Sequence, residues 1–230
     1  MLEGHTFRAF AMRQSVRSLH ACMRHGAFSH KGIQPAGAVD RFLADPRNHP
    51  NDPLGQTPRG VTLTAFGAAM TWGWLSYPQY QAMIERGADL TTPTYHHQWA
   101  VFSLAYHDEI LLYLARDNAL PMIANEQGWT LFHEMAQSSS GLSNAFMRHP
   151  RLLDFVPAMI TRDGLSPLTV YLRHLRNGPG WHDLTTLRRL CEQCGVRDQD
   201  TAEALKLGHF EALKLLAEFG ADLNAGLRAA

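Results

Sequence analysis

Cysteine is scarce in this chain. Cys22, Cys191 and Cys194 are the three cysteines among 230 residues, an odd number that does not make a disulfide framework, so a reducing compartment is expected. No window approaches the run of about 18 apolar residues that a membrane-crossing helix needs. Neither sign of charge is in excess: Lys plus Arg and Asp plus Glu each number 21, which argues against a nucleic-acid or membrane partner. The only imbalance is local. Residues 1–58 hold seven basic and four acidic side chains, leaving fourteen against seventeen in the remainder, too small a difference to steer a partner. Arg8, Arg13, Arg17 and Arg24 interrupt the stretch where a secretory signal would place its apolar core. Arginine-rich and poor in acids, that stretch resembles a transit peptide, but a helix of the fold is the expectation. Together these absences point to a soluble cytoplasmic protein.

The catalytic templates are missing as well. The one glycine-dense stretch, Gly178-Pro179-Gly180, lacks the Lys-Ser/Thr of a phosphate loop. Ser138, Ser139 and Ser140 precede Gly141 without the strand-turn-helix elbow of a nucleophile. Glu109, Glu126 and Glu134 come from separate segments, with nothing to pair them as acid and base. His133-Glu134 opens like a zinc-protease helix, yet Gln137 stands where the second histidine must be. The spacing of Cys191 and Cys194 suits a zinc ribbon, but there is no second pair. Cys191 is therefore expected to be a buried packing residue. His20, Cys22, His25 and His30 lack a carboxylate at ligand spacing and read as exposed helix residues. No enzyme, metal or cofactor is expected.

What the chain does have is 45% hydrophobic and 18% charged residues, a globular balance, and a period. Gly128-Trp129-Thr130-Leu131-Phe132-His133-Glu134-Met135-Ala136 returns, loosened, as Asp163-Gly164-Leu165-Ser166-Pro167-Leu168-Thr169, and again as Gly60-Val61-Thr62-Leu63. Gly-Ala-Asp-Leu occurs at Gly87–Leu90 and Gly220–Leu223. Unit starts at Gly60, Tyr95, Gly128, Gly164 and Asp198 give steps of 35, 33, 36 and 34 residues, with two short helices expected in each. Thr62, Thr130 and Ser166 are expected to cap helix N-termini, with Pro167 in the first turn. Gly87, Asn118, Gly195 and Gly220 follow apolar segments, where a left-handed residue ends a helix. In the last unit, Phe210, Leu213, Leu216 and Ala217 are predicted to share the buried face, and Glu211, Lys214 and Glu218 the wet one. Glu203, Lys206, Glu211 and Lys214 suit a polar closing unit.

The run from Gly128 to Ala136 and the run from Gly208 to Ala225 resemble ankyrin repeats; the second follows the family's order of helix, turn glycine and Ala-Asp-Leu-Asn. The resemblance covers residues 59–226, roughly three quarters of the chain. It implies an all-α ankyrin-repeat solenoid of about five helix-pair units. Several are degenerate. The unit at Tyr95 lacks the signature, the unit at Gly60 carries extra residues before Tyr77-Pro78, and the unit at Gly164 has an added loop, Arg176–Trp181. The Gly128 unit offers Arg151–Val156 as its second helix. Residues 1–58 are then an atypical helical N-terminal cap. In it Val16–Ala27 forms a degenerate helix and turn, and the Pro-rich segment Pro46–Pro58 is a loop.

The resemblance gives His133 a bond to the neighbouring loop. It also implies a protein-binding concave face. The Gly128 unit would present Gln127, Trp129, Gln137 and Ser138; the Gly164 unit, Arg162, Leu165, Arg173 and His174; the inferred loop at Tyr95, His96 and Trp99. Trp129 and Arg162 lead, since Trp and Arg dominate interface hot spots; the plain alternative has Trp129 packed on Leu131 or a neighbouring loop. The expected function is non-catalytic: an adaptor, or a stoichiometric inhibitor of immunity type, monomeric when free. Two other classes stay open, a metal-binding or enzymatic protein with its site in residues 1–58 around His20, Cys22 and His25, and a secreted effector acting on host proteins.

Overall fold

A computed structural model describes residues 38–57, 59–71, 75–95, 98–137, 150–156, 158–175 and 184–229. The expected helix and turn at Val16–Ala27, the histidines at 20, 25 and 30, Cys22, and the loop Arg176–Trp181 lie outside them. The described chain is mostly helical with little strand. No described helix is long and apolar enough to cross a membrane. The chain divides into two compact units, Met1–Ser103 and Leu104–Ala230.

In the first unit, α1 (Ala38–Ala44) precedes a short antiparallel pair, β1 (Pro53–Gln56) and β2 (Thr62–Thr64). Gly55 faces Leu63 and Gln56 faces Thr62, with an irregularity between Pro53 and Gly55. The Pro-rich segment expected to be all loop thus ends in a strand. Pro53 is tolerated because it starts that strand, where it interrupts no ladder. Thr62 is a strand residue, and not the cap expected of it. Thr64 caps α2 (Ala65–Thr71) instead, its hydroxyl accepting from the Gly67 N–H at 3.0 Å. Buried from Ala65 to Met70, α2 lies against α4 (Ala100–Ser103). In α3 (Tyr77–Glu85), Gln79 reaches back to the Ser76 N–H at 2.9 Å and Pro78 sits in the first turn. The Phe66 and Tyr80 rings meet at 6.2 Å in the core. Arg86, just past α3, donates to the Leu43 and Asp45 carbonyls and so closes the end of α1.

The second unit opens with a 3₁₀ turn, η1 (Leu104–Tyr106), followed by α5 (Asp108–Arg116), α6 (Leu131–Gln137), a second 3₁₀ segment η2 (Pro150–Phe155), α7 (Pro167–His174), α8 (Leu184–Cys194), α9 (Asp198–Lys206), α10 (Phe210–Glu218) and α11 (Leu223–Ala229). Contacts run in two rows. One row passes from η1 through α6, α7 and α9 to α11, the other from α5 through η2 and α8 to α10. Between the rows lies the core: Ile110, Leu111, Leu131, Phe132, Leu152, Leu168, Leu172, Leu187, Leu190 and Leu216 are all almost fully buried. Arg151–Val156, the segment expected to be helical, is the 3₁₀ piece with Leu152 and Leu153 inward. The expected left-handed positions are all left-handed, Asn118 among them at φ +52°.

The buried face of α10 differs from the expected one. Ala212, Leu213, Leu215 and Leu216 are buried, whereas Ala217 is exposed and Phe210 is 73% exposed. The face runs through two adjacent pairs one turn apart, and Phe210 at the first position falls off its edge. Glu203 also departs from its expected wet position. It is buried and accepts from Arg173 at 3.1 Å.

Candidate functional site

A single turn recurs along the chain. Thr57 N–H donates to the Val61 carbonyl at 2.8 Å, Asn125 N–H to Trp129 at 2.9 Å, and Thr161 N–H to Leu165 at 2.8 Å. Each turn carries a glycine three residues in, Gly60, Gly128 and Gly164, at φ +79°, +80° and +77°. Each opens with a polar side chain whose oxygen takes the N–H four residues on: Thr57 from Val61 at 3.2 Å, Asn125 from Trp129 at 2.9 Å, Thr161 from Leu165 at 3.0 Å. The backbone bond appears a fourth time from Thr94 to Gln98 at 2.7 Å. The turn openings at 57, 94, 125 and 161 are separated by 37, 31 and 36 residues.

Adjacent turns of the second unit are joined through a first-row histidine. His133 Nε2 faces the Leu165 carbonyl at 3.2 Å, an acceptor only, so Nε2 carries the proton. Nδ1 then accepts from the Thr130 N–H at 3.2 Å and from the Thr130 hydroxyl at 2.8 Å. Thr130 therefore spends its hydroxyl on the histidine and not on a helix amide as expected. Burial holds the imidazole far below its ordinary range, to about 4; the Leu165 carbonyl opposes this and the nearby Arg197 charge adds to it. The ring is neutral at pH 7, as its bonds require. The Arg162 N–H, 2.8 Å from the Gln127 carbonyl, makes a second tie between the same two turns.

At the next step Ser166 caps α7 as expected, its hydroxyl accepting from the Thr169 N–H at 3.1 Å, with Pro167 in the first turn. Thr169, three residues after its cap as His133 is after Thr130, gives its hydroxyl to the buried Asp200 carboxylate. Asp200 also accepts the Arg197 N–H at 2.9 Å, and the Arg197 guanidinium bonds the Gly164 carbonyl at 2.9 Å and Thr169 at 2.8 Å. Burial raises the Asp200 carboxyl above the ordinary carboxylate range, against the Thr169 bond and the Arg197 charge, which lower it.

The residues expected to be presented are distributed as follows. Gln127, Arg162, Gln137 and Arg173 are exposed; Leu165 and His174 are half-buried. Arg173 is tied to Glu203, and burial plus the Arg173 charge lower the His174 pKa. Trp129 is half-buried, its ring 5.2 Å from that of His133 and its Nε1–H donating to Glu134 at 3.4 Å. Trp99, in the first unit, stacks on Phe102 at 5.8 Å. Ser138 and His96 lie outside the described residues.

Two side chains on this surface were missed in the sequence. Tyr106, 54% exposed, donates its hydroxyl to Glu134 at 2.9 Å, and Glu134 is buried on α6. Register could have found the tyrosine. It lies twelve residues after Thr94, as Gln137 lies after Asn125 and Arg173 after Thr161, and all three are exposed.

Elsewhere, a cavity of about 490 Å³ opens between α5 and η2, lined by Leu112, Ala115, Arg116, Leu152 and Phe155. The two α8 cysteines are free thiols, pushed up by burial to about 12 for Cys191 and about 11 for Cys194. Both therefore stay protonated at neutral pH. No group of three or more metal-ligating side chains gathers among the described residues. No protein-family model matches the chain, and no curated protein matches it.

Proposed function

We propose that this protein is an ankyrin-type repeat solenoid that acts without catalysis, by holding a partner protein on the face formed by its turn tips and first-row helices. The recurrence of one backbone turn bond at 57, 94, 125 and 161, with a left-handed glycine in the turns at 57, 125 and 161, carries the reading. A turn that recurs in this way ahead of short helices is what stacked repeat units produce. Its bonds hold the backbone while the side chains at the tips remain variable. A surface fixed in this way loses little entropy on association. In the second unit Gln127, Arg162 and Gln137 stand on it as exposed contacts, beside the half-buried Trp129.

With this face as its working part, the protein serves as an adaptor or as a stoichiometric inhibitor that covers a partner's site. Affinity capture from a native lysate tests the reading when run with Arg162→Glu, Gln127→Arg and the second-row control Lys214→Glu. The first two lose the captured protein and the control keeps it. Capture that survives both face substitutions, or an enzymatic turnover assignable to the pure chain, refutes the reading.

A further inference from the structure

The cavity of about 490 Å³ belongs to the second row, lined by α5 and η2 and by no described residue of the turn tips. It opens beside the smallest element of that row. The other second-row elements are α-helices of nine to eleven residues, whereas η2 is six residues of the tighter 3₁₀ form. Ala115 lines the opposite side from α5, and its single methyl leaves the gap unfilled. The volume lies within the range of about 300–1,000 Å³ usual for ligand pockets.

The lining sorts into a floor and a rim. In a 3₁₀ segment residues i and i+3 fall in line, which puts Leu152 and Phe155 on one edge of η2 and Arg151 and Asp154 on another. On α5, Leu112, Ala115 and Arg116 share a face at steps of three and four residues. Leu152 and Ala115 are buried, Phe155 is half-buried, and Leu112, Arg116 and Arg151 reach the surface. The floor is therefore hydrocarbon and the rim is cationic.

That rim has one sign left over. Asp154 is taken by Arg189 at 2.8 Å. Among the described residues, no carboxylate pairs with Arg116 or Arg151. Arg116 lies over the Tyr113 ring at 5.1 Å, which uses the face of its guanidinium and leaves the N–H edge for an acceptor. Two such groups over an apolar floor suit a ligand that carries both an anion and a hydrocarbon body.

We propose that this cavity binds a small amphiphilic carboxylate. Its hydrocarbon part lies against Leu112, Ala115, Leu152 and Phe155, and its carboxylate on Arg116 and Arg151. The site is independent of the partner-binding face and stands or falls apart from it.

Isothermal titration of the full chain with octanoate, octanol, octylamine and acetate tests this. Octanoate binds at a single saturable site. Octanol keeps the chain without the charge and binds about tenfold more weakly, while octylamine and acetate show no saturable binding. This comparison needs no variant. The double variant Arg116→Met/Arg151→Met costs octanoate about tenfold and leaves octanol unchanged. Leu112→Trp puts bulk into the cavity and weakens octanoate and octanol alike. These three positions are exposed, so the fold is kept, and thermal denaturation verifies it. Lys214→Met removes a cation elsewhere in the second row and leaves octanoate binding as it was.

Absence of saturable octanoate binding overturns the site, as does equal affinity for octanol or octylamine. Octanoate binding that survives the double variant or Leu112→Trp takes place elsewhere and overturns it too.

Discussion

His133 shows how much one side chain decides here. It is fully buried, and its two nitrogens join its own turn to the next. His133→Gln is expected to cost about 2 kcal/mol, since Thr130 and the Leu165 carbonyl then lose a well-placed buried partner. Chemical denaturation reads that value. The same residue sets a pH dependence. Its native pKa, about 4, lies below the 6.5 of an ordinary histidine, so the unfolded chain takes the proton first. Its contribution is complete above pH 6.5 and declines as pH falls toward 4, by on the order of 3 kcal/mol in all. The raised carboxyl of Asp200 works in the opposite sense, favouring the fold in acid. The difference between wild type and His133→Gln, measured at pH 7 and pH 4, isolates the histidine. A gap that does not shrink toward pH 4 contradicts this assignment. Asp200→Ala is expected to cost about 3 kcal/mol, because the Arg197 guanidinium and the Thr169 hydroxyl lose the carboxylate that organises them.

At the scale of elements, two glycines are held by their surroundings. Gly128 stands at φ +80°, and a methyl there would press on the Thr161 Cα at 3.1 Å and the Ile160 carbonyl oxygen at 3.3 Å. Gly164 has nearly the same φ and open space around it. Alanine should cost about 1 kcal/mol at Gly164 from backbone strain alone, and clearly more at Gly128; equal losses in thermal denaturation would discount the inter-turn contact. Gly67 is a helical glycine whose methyl would run into the Pro93 carbonyl. Gly67→Ala should therefore destabilise, although alanine is the better helix former by about 1 kcal/mol.

Turn glycines, left-handed helix ends and the Ser166-Pro167 start were legible because each follows from a local backbone requirement. Thr62 was misread because a threonine two residues earlier offers the same oxygen as Thr64, and only the strand pairing separates them. Phe210 was misread because spacing gives the period of a helix but not the phase at which neighbours cover it. Tyr106 and Glu134 were invisible as a pair. They lie 28 residues apart, and nothing local joins a phenol to a distant carboxylate.

For the molecule as a whole, charge balance has a practical effect. With 21 charges of each sign and an isoelectric point near 7.2, the chain carries almost no net charge at neutral pH. Burial lowers the pKa of His133 and of His174, so neither of these two is among the first groups to add positive charge as the pH falls. Solubility should pass through a minimum close to pH 7 and rise on the acid side, and light scattering across that range would show it.

The bridge from His133 ends on the Leu165 main chain, so the receiving loop is held whatever amino acid it carries there. The Arg162–Gln127 bond is likewise backbone to backbone. Selection, or an engineer, can therefore rewrite the tips of these loops without renegotiating the joints between them. Novelty in what the molecule recognises comes at little risk to whether it folds.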